Sequence, residues 1–267
     1  MERVQLRPYK DTHIRLPIIP SYGSAETAQL GFDHIYIIHQ LGHPDNLVRM
    51  ARVLQLLRIS AEFVPVLPPP PPPMNTHSAV PSVLSPESIA EWHTRYRIYR
   101  DMEAAGYRSA LILDDSVDME LNIKTIMRAV HRHLPAGWDM FFPGHCGAFE
   151  GSQPKPDPGF PSLRAANMPL CLHAHAVSRK GLLQLLAHLG PMPSSDIISL
   201  AIMRLKERGL LQMYSLATPA IAPHNASSPA AALPAGSKGL AISATRHLSL
   251  WRGTPSAPSA AHSTGAA

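Results

Sequence analysis

The sequence predicts an α/β domain in which helices flank a mostly parallel sheet. Residues 110–113 form a continuous apolar run that leads directly into two acids. Such a run is typical of a strand that is buried on both faces. Earlier in the chain, a strand is predicted at residues 34–38. An amphipathic helix that begins at Asp45 comes next, and a second strand is predicted at residues 62–66. That order favours a parallel sheet.

The remaining elements continue this alternation. Ser85, Pro86 and Glu87 suit a helix start, with a serine cap, proline at the first position and an early acid, and Gly106 suits its end. Ser178 is placed to cap a later helix, and Gly209 to end the one after it. Further strands are predicted at residues 109–113, 138–142, 171–177 and 211–216. Helices are predicted at residues 85–106, 123–133 and 197–209, and another begins at residue 178.

Composition shifts divide the chain into three parts. Residues 1–30 read as an irregular N-terminal arm, 31–222 as the folded domain and 223–267 as a disordered tail rich in Ala, Ser and Pro. Within the domain, residues 67–82 are predicted to be a proline-rich insertion that contains a polyproline II spacer. Residues 147–170 are predicted to be a long loop, for which a binding lid and disorder are both open interpretations.

The overall composition narrows the class of protein. The 267 residues suffice for one α/β domain, and the net charge of +5 suits an anionic partner. Lys and Arg are scattered and no basic stripe is interleaved with aromatic residues, so we expect no nucleic-acid partner. No apolar run reaches the roughly 18–20 residues that span a bilayer. Cys146 and Cys171 could form one disulfide, although two small buried hydrophobic side chains are the favoured interpretation.

The acids after the central strand are the main candidate site. Asp114 and Asp115 follow the strand directly, and Asp118 lies three positions further on. Acids at the carboxyl end of a strand lie where open α/β sheets bind their ligands. Because a buried acid pair needs compensation, the pattern predicts a divalent-metal or polar-ligand site. An aspartate-rich turn that caps the next helix is the alternative.

Other chemical motifs are weaker. No strand is followed by a Gly-x-Gly-x-x-Gly or P-loop pattern, which lowers the prospect of a dehydrogenase or nucleotide phosphatase. No serine lies in a nucleophile-elbow context. His173 and His175 alternate along a predicted strand, so their side chains should share a face. With no third ligand spaced beside them, we expect a core strand in preference to a metal site.

Five blocks in order resemble glycosyltransferase family 25, which includes bacterial lipooligosaccharide galactosyltransferases and animal collagen galactosyltransferases. The chain looks most like the fungal members, over roughly residues 31–221. The similar blocks are residues 31–38 (GFDHIYII), 106–120 (GYRSALILDDSVDME), 134–139 (LPAGWD), 144–146 (GHC) and 173–181 (HAHAVSRKG). The last block is the most specific.

The resemblance implies a GT-A-like single domain that transfers a hexose, with galactose as the first candidate, from a UDP-sugar to a hydroxyl acceptor. The acceptor would be a glycan, a lipid-linked sugar or a protein. The resemblance also implies Mn²⁺ or Mg²⁺, which stabilises the charge on the departing diphosphate. It places Asp114 and Asp115 on the metal with Asp118 assisting, and Asp45, Asp114, Asp115 and His145 at the donor. Asp196 matches the position of an acid in the fungal members, which makes it a candidate catalytic base. The alternative for Asp196 is an acid at a helix N-terminus that complements the helix dipole.

Three departures from the family pattern leave a second interpretation open. Ser116 replaces the third acid of the family's Glu-Asp-Asp motif, and a hydroxyl is a poor ligand for a hard cation. His43 and Asn46 stand where the family carries arginines, and Thr94-Arg95 replaces a Ser-His pair. The alternative is a catalytically weakened, glycosyltransferase-like binding module. The resemblance favours the secretory pathway or Golgi lumen, whereas the lack of a visible signal peptide favours the cytoplasm.

Overall fold

A computed structural model describes residues 5–10, 14–23, 28–68, 84–146, 150–167, 171–193 and 195–224. The predicted proline-rich insertion lies largely outside these residues, and the predicted tail does so almost entirely. The strands are β1 (Leu6–Pro8), β2 (Arg15–Pro17), β3 (His34–His39), β4 (Glu62–Pro65), β5 (Ser109–Asp114), β6 (Val117–Met119), β7 (Met140–Gly144), β8 (Leu163–Ala165), β9 (Ala174–Ser178), β10 (Met213–Leu216) and β11 (Ile221–Pro223). The helices are α1 (Pro44–Leu57), α2 (Pro86–Ala105), α3 (Ile123–His133), α4 (Arg179–His188) and α5 (Ile198–Glu207).

A seven-stranded sheet in the order β4-β3-β5-β9-β7-β10-β8 forms the centre of the domain. β4, β3 and β5 run parallel, as do β7 and β10. β9 is antiparallel to both of its neighbours, and β8 is antiparallel to β10 at the edge. Five of the seven strands therefore share one direction, which confirms the predicted α/β class with a mostly parallel sheet.

Helices cover both faces of this sheet. On one face, Met50 and Leu54 of α1 and Met127 of α3 pack in one buried cluster. On the other face, α2, α4 and α5 contribute to a second cluster, which includes Met102 and Leu185. Because helices cover both faces of the sheet, the strand sequences are continuously apolar and do not alternate between apolar and polar residues.

Helix boundaries follow the residues that the sequence singles out. The Ser85 hydroxyl accepts a hydrogen bond from the Ser88 N–H at 3.2 Å, which caps α2. That helix ends at Gly106, whose φ of 70° suits a residue without a Cβ. Ser178 caps α4 by accepting from the Gly181 N–H at 3.1 Å. These three predictions are confirmed.

Short strands also occur where the sequence predicted irregular chain. In the N-terminal arm, β1 and β2 pair antiparallel, and Leu16 is buried against the main core. The long loop contains β8, which extends the sheet beyond β10. β11 pairs with β6, so the chain after Pro219 returns to the acidic segment. Short strands lack the length that makes periodicity visible in a sequence.

This topology brings the ends of five strands to one edge. β3, β5, β7 and β10 all finish there, and the antiparallel β9 begins there. His39, Asp114, His145 and His173 therefore lie at the same edge, which we call the carboxyl edge. None of the helices in the described ranges is both long enough and apolar enough to cross a bilayer.

Candidate functional site

The acidic turn, which we define as residues 114–118, lies at the carboxyl edge between β5 and β6. Asp115 is fully buried and Asp118 is 6% exposed, whereas the Asp114 side chain is 27% exposed. The backbone holds the turn against its neighbours: the Asp115 N–H donates to the Ile38 carbonyl and the Asp114 N–H to the His173 carbonyl. Asp114 is thus the acid of the turn that is most open to solvent.

Arg95 of α2 neutralises Asp114. Its guanidinium is 1% exposed and pairs with Asp114 at 3.0 Å and with Glu91 at 2.8 Å. It also donates to the Leu172 carbonyl at 3.3 Å. Burial acts to lower the pKa of Arg95, but the two carboxylates outweigh burial and raise it. Arg95 is therefore a fixed cation in the protein.

Burial raises the pKa of Asp114 to about 6, although Arg95 acts to lower it. Removal from water disfavours the ionised carboxyl more than a single guanidinium favours it. Asp114 can consequently exchange a proton near neutral pH, and its partial exposure leaves it within reach of a ligand. A carboxyl with these properties suits acid–base chemistry or hydrogen bonding to a sugar hydroxyl.

Two further basic side chains surround Asp115. His39 Nδ1 lies 2.5 Å from Asp115 Oδ2, and both groups are buried. Arg49 of α1 donates to the Asp115 carbonyl at 2.5 Å and to the Val117 carbonyl at 2.8 Å. These contacts join α1 and β3 to the turn and fix its backbone. Asp115 Oδ1 is buried without a hydrogen-bond partner among the described residues.

Asp118 is held within the β6–β11 ribbon. Its Oδ1 accepts from the N–H of Met119 at 2.9 Å, and its Oδ2 lies 3.9 Å from His224 Nδ1. The register pairs Asp118 with Ala222 across the ribbon. The N–H of His224 donates to the Ser116 carbonyl at 2.8 Å. The C-terminal part of the described chain thus closes one side of the turn.

These positions do not assemble a site for the metal that the family resemblance implies. Among the described residues, the group of three or more ligand atoms that lie within 4.8 Å of one another comprises Cys146, Cys171 and His173, and Asp114, Asp115 and Asp118 form no such group. Arg95 and His39 already contact two of the three acids. A hard divalent ion takes several oxygen ligands. The acidic turn therefore does not fit Mn²⁺ or Mg²⁺ in this arrangement.

Three other residues predicted for the site lie on separate elements. Asp45 is exposed in the first turn of α1, directly after β3. His145 is buried and its Nε2 bonds to the Leu216 carbonyl at 2.7 Å. Asp196 precedes α5 and pairs with Arg204 at 3.0 Å.

A second group of reactive side chains borders the acidic turn. Cys146 and Cys171 form a disulfide with a Cα–Cα distance of 5.4 Å, which corrects the interpretation of two unpaired hydrophobic side chains. His173 Nδ1 lies 3.9 Å from Cys146 Sγ. Burial lowers the pKa of His173 to about 4, so its imidazole is neutral at pH 7. We call these three residues the sulfur cluster.

His173 and His175 have different surroundings, so they do not act as a pair. His175 is fully buried, with Tyr99 Oη at 3.3 Å from its Nε2 and the Leu172 carbonyl at 3.0 Å from its Nδ1. Burial lowers its pKa to about 3. His175 is therefore a neutral core residue, as predicted, whereas His173 faces sulfur.

A cavity of about 510 Å³ lies away from the carboxyl edge. Its lining includes Tyr9 and Lys10 of the arm, with His34 and Glu62 at the starts of β3 and β4. His34 Nε2 and Glu62 Oε2 are 3.2 Å apart, which ties two strands together. None of the predicted site residues lines this cavity, so it is separate from the acidic turn.

The basic side chains around the acidic turn were not predicted as site residues. Arg95 carried a usable signal, because its spacing from the buried Trp92 and Tyr99 places it on the buried face of α2. A charged residue in that position requires an internal partner. His39 and His224 carried no such signal, since their contacts with the turn depend on tertiary structure.

The chain shows only limited similarity to known proteins. No family model matches the chain, and no curated protein matches it significantly. A glycosyltransferase involved in glycosylation of the major capsid of PBCV-1 aligns with a TM-score of 0.32 and 11% identity, over 56% of this chain and 62% of that one. A197 from STIV aligns with a TM-score of 0.33 and 13% identity, over 68% and 81%. The chain thus spans less than two thirds of the length of the PBCV-1 glycosyltransferase.

Proposed function

We propose that this chain is a glycosyltransferase that moves a hexose, with galactose as the first candidate, from a UDP-sugar to a hydroxyl acceptor. The observation that carries the proposal is the position of Asp114. It ends β5 at the carboxyl edge, is partly open to solvent and has a pKa raised to about 6. Ligands of open α/β sheets bind at this edge. The order of the five sequence blocks supports the same assignment.

The donor would lie between the acidic turn and the start of α1. The first turn of α1 has Pro44 at its beginning, and no His43 side-chain cap covers its N–H groups. Helix N-termini favour phosphate groups, because the N–H dipoles point outwards. In this arrangement Asp114 would accept hydrogen bonds from hydroxyl groups of the sugar donor. The exposed Asp45 would accept hydrogen bonds from the nucleoside. His145 would act indirectly, by holding β7 to β10.

Proton removal from the acceptor hydroxyl requires a carboxylate on the opposite side of the sugar. Asp196 is proposed for this role because the family resemblance matches it to an acid, and it precedes α5. Arg204 would orient it. Because the acidic turn does not fit a hard cation, no step of this proposal passes through Mn²⁺ or Mg²⁺, and the metal implied by the resemblance stays a prediction.

One observation favours a second function. Arg95 and His39 contact Asp114 and Asp115, so both acids of the predicted motif are already engaged within the protein. A domain that keeps the nucleotide-binding edge but lacks turnover would be consistent with this compensation. The second candidate is therefore a UDP-sugar binding module that acts through a partner.

The test measures both turnover and binding. UDP release from UDP-galactose is followed with and without Mn²⁺, and UDP binding is measured by calorimetry. The proposal predicts turnover that Asp114→Asn and Asp196→Asn each reduce. Asp101→Asn, an acid whose ion-pair partner is Lys10 of the arm, serves as the matched control and should retain activity. Binding without turnover would support the binding module, and absence of both would overturn the two functions together.

Restoring the family's third acid gives a further test. Ser116 is half-buried in the turn, and its carbonyl already accepts from His224. Ser116→Asp should raise the affinity for Mn²⁺ if the turn can rearrange into the family's metal site. An unchanged affinity would indicate that Arg95 and His39 prevent that rearrangement.

A further inference from the structure

The sulfur cluster is built by the two central strands that enter and leave the carboxyl edge. Cys146 follows β7, while Cys171 and His173 precede β9. β7 and β9 are hydrogen-bonded neighbours, with Gly144 in register with Ala174. One ligand atom from each of the three residues lies within 4.8 Å of the other two. The pairing of β7 with β9 therefore holds two sulfur atoms and an imidazole close together.

The distances within the cluster resemble those around a tetrahedral ion. Zinc binds sulfur at about 2.3 Å and nitrogen at about 2.1 Å, so tetrahedral ligands put S and N roughly 3.6 Å apart. Cys146 Sγ and His173 Nδ1 are 3.9 Å apart. The same bond lengths require the two sulfurs to separate to roughly 3.8 Å once the disulfide is reduced.

His173 is held with Nδ1 towards the sulfur. A Cβ on Gly144 would meet the Ile221 carbonyl, so β11 lies close to β7 beside the ring. A Cβ on Gly144 would lie 2.9 Å from His173 Nε2, which shows how closely β7 approaches the imidazole. Metal-binding histidines are commonly oriented by a contact at their other ring nitrogen. Among the described residues, His173 Nε2 is buried without a hydrogen-bond partner, so close packing, and not a hydrogen bond at Nε2, sets the orientation of the ring.

We propose that, when the disulfide is reduced, Cys146, Cys171 and His173 bind one Zn²⁺ ion. Two thiolates and an imidazole select zinc over hard cations such as Mg²⁺ and Mn²⁺. Three protein ligands leave a fourth position for water or for a group at the neighbouring acidic turn. This inference goes beyond the proposed function and does not depend on it.

A dithiol reductant converts the disulfide form of the chain into the form that binds zinc. One dithiol passes two electrons to the Cys146–Cys171 disulfide, which gives two cysteine thiols and an oxidised, cyclised dithiol. Zn²⁺ then replaces the two thiol protons, and both protons enter solution. In the reverse step the two cysteine thiolates pass two electrons to the oxidised dithiol, which takes up two protons and returns to the dithiol, while the Cys146–Cys171 bond forms again and Zn²⁺ is released. Zinc binding and the disulfide are therefore mutually exclusive states of one site.

The test uses the full chain under anaerobic conditions. Reduced protein, freed of reductant, is titrated with Co²⁺ and then with Zn²⁺. The proposal predicts one Co²⁺ per chain with thiolate-to-metal charge-transfer absorption and tetrahedral d–d bands, all lost when Zn²⁺ displaces the cobalt. The disulfide form should show none of these bands. Zinc uptake near pH 7 should release two protons, because free thiols are protonated at that pH.

Variants separate the cluster from the other histidines of the chain. His173→Gln keeps the cysteines, so disulfide formation can be checked by thiol counting before the metal titration. It should weaken zinc binding at least about 100-fold, the upper end of what even an outer-shell residue costs. His188→Gln, at an exposed position at the end of α4, is the matched control and should bind like the unmodified chain.

Two results would overturn the proposal. The first is reduced protein that binds no Co²⁺ with charge-transfer absorption. The second is zinc affinity that survives in the double variant Cys146→Ser, Cys171→Ser, which would locate the ion elsewhere. Comparison of reduced with oxidised unmodified chain needs no substitution, so the proposal stays testable even if the double variant fails to fold.

Discussion

The acidic turn and the sulfur cluster lie side by side at the carboxyl edge, yet their surroundings differ. The acids of the turn contact Arg95 and His39 at distances of 2.5–3.0 Å. The cysteines contact each other and a neutral histidine. In the turn, Arg95 and His39 already contact the acids that a metal would need, whereas reduction would give two thiols that can each lose a proton to a metal ion. The content of acidic residues is thus a poorer guide to a metal site than the charges around them.

The largest expected effect tests the compensation in the acidic turn. Arg95→Met removes the cation between Asp114 and Glu91 and should lower the free energy of unfolding by about 3–5 kcal/mol at pH 7, as for other broken buried ion pairs. The loss should be smaller at pH 5, where Asp114 is protonated. Urea unfolding at both pH values measures it.

A control for this variant lies on the same helix. Arg100 pairs with Glu103 on the surface, where ion pairs contribute about 0–1 kcal/mol. Arg100→Met should therefore change stability little. Equal effects of the two substitutions would contradict a special role for Arg95.

The second effect concerns the sulfur cluster. The disulfide closes a loop of 25 residues, and the chain-entropy relation gives about 3–4 kcal/mol for such a loop. Reduction of the unmodified chain should lower the free energy of unfolding by this amount. Free zinc at about 100 times its dissociation constant should return about 2.7 kcal/mol. Thermal unfolding of the reduced chain that zinc does not shift would contradict the proposed metal site.

The third effect follows from the pKa of Asp114. Its folded value of about 6 exceeds the ordinary 3.8, so the folded state binds a proton before the unfolded state does. Its contribution to stability is therefore present below pH 4 and is lost as pH rises through 6. The shift corresponds to about 2–3 kcal/mol. Unfolding of the unmodified chain and Asp114→Asn between pH 4 and 7 should diverge by this amount, and parallel profiles would contradict it.

The smallest effect concerns the support of His173. A Cβ at Gly144 would lie 2.9 Å from both Ala174 Cβ and His173 Nε2 and would also meet the Ile221 carbonyl. Gly144→Ala should therefore cost about 1–2 kcal/mol through overpacking and should weaken zinc binding. Gly151→Ala is the matched control, because its Cβ would meet nothing within 4 Å. Unchanged zinc affinity in Gly144→Ala would show that the packing of His173 is not needed.

Much of the fold was predictable, because it depends on local patterns. Apolar runs identified β3, β5 and β10, and Ser85, Gly106 and Ser178 marked helix ends. The reversed direction of β9 was not predictable in this way, since a buried strand has the same composition in either direction. The pairing of β11 with β6 was also missed, because it joins segments about a hundred residues apart and each is only three residues long.

The candidate site was predictable only in part. The position of Asp114 and Asp115 at the end of a strand was predictable from the sequence alone. Their partners come from α2, β3 and α1, and contacts between elements leave no periodic signal along the chain. A bond between Cys146 and Cys171 was an open alternative from the sequence. Their proximity to His173 was missed, because it depends on β7 and β9 being neighbours in the sheet.

Calorimetric titration of UDP, with and without Mn²⁺, tests the central claim most directly. A nucleotide-sugar site at a carboxyl edge whose acids already contact Arg95 and His39 predicts one UDP bound per chain, with an affinity that Mn²⁺ changes little. No heat of UDP binding would contradict the site itself. Binding that appears only with Mn²⁺ would contradict the compensation by Arg95 and His39.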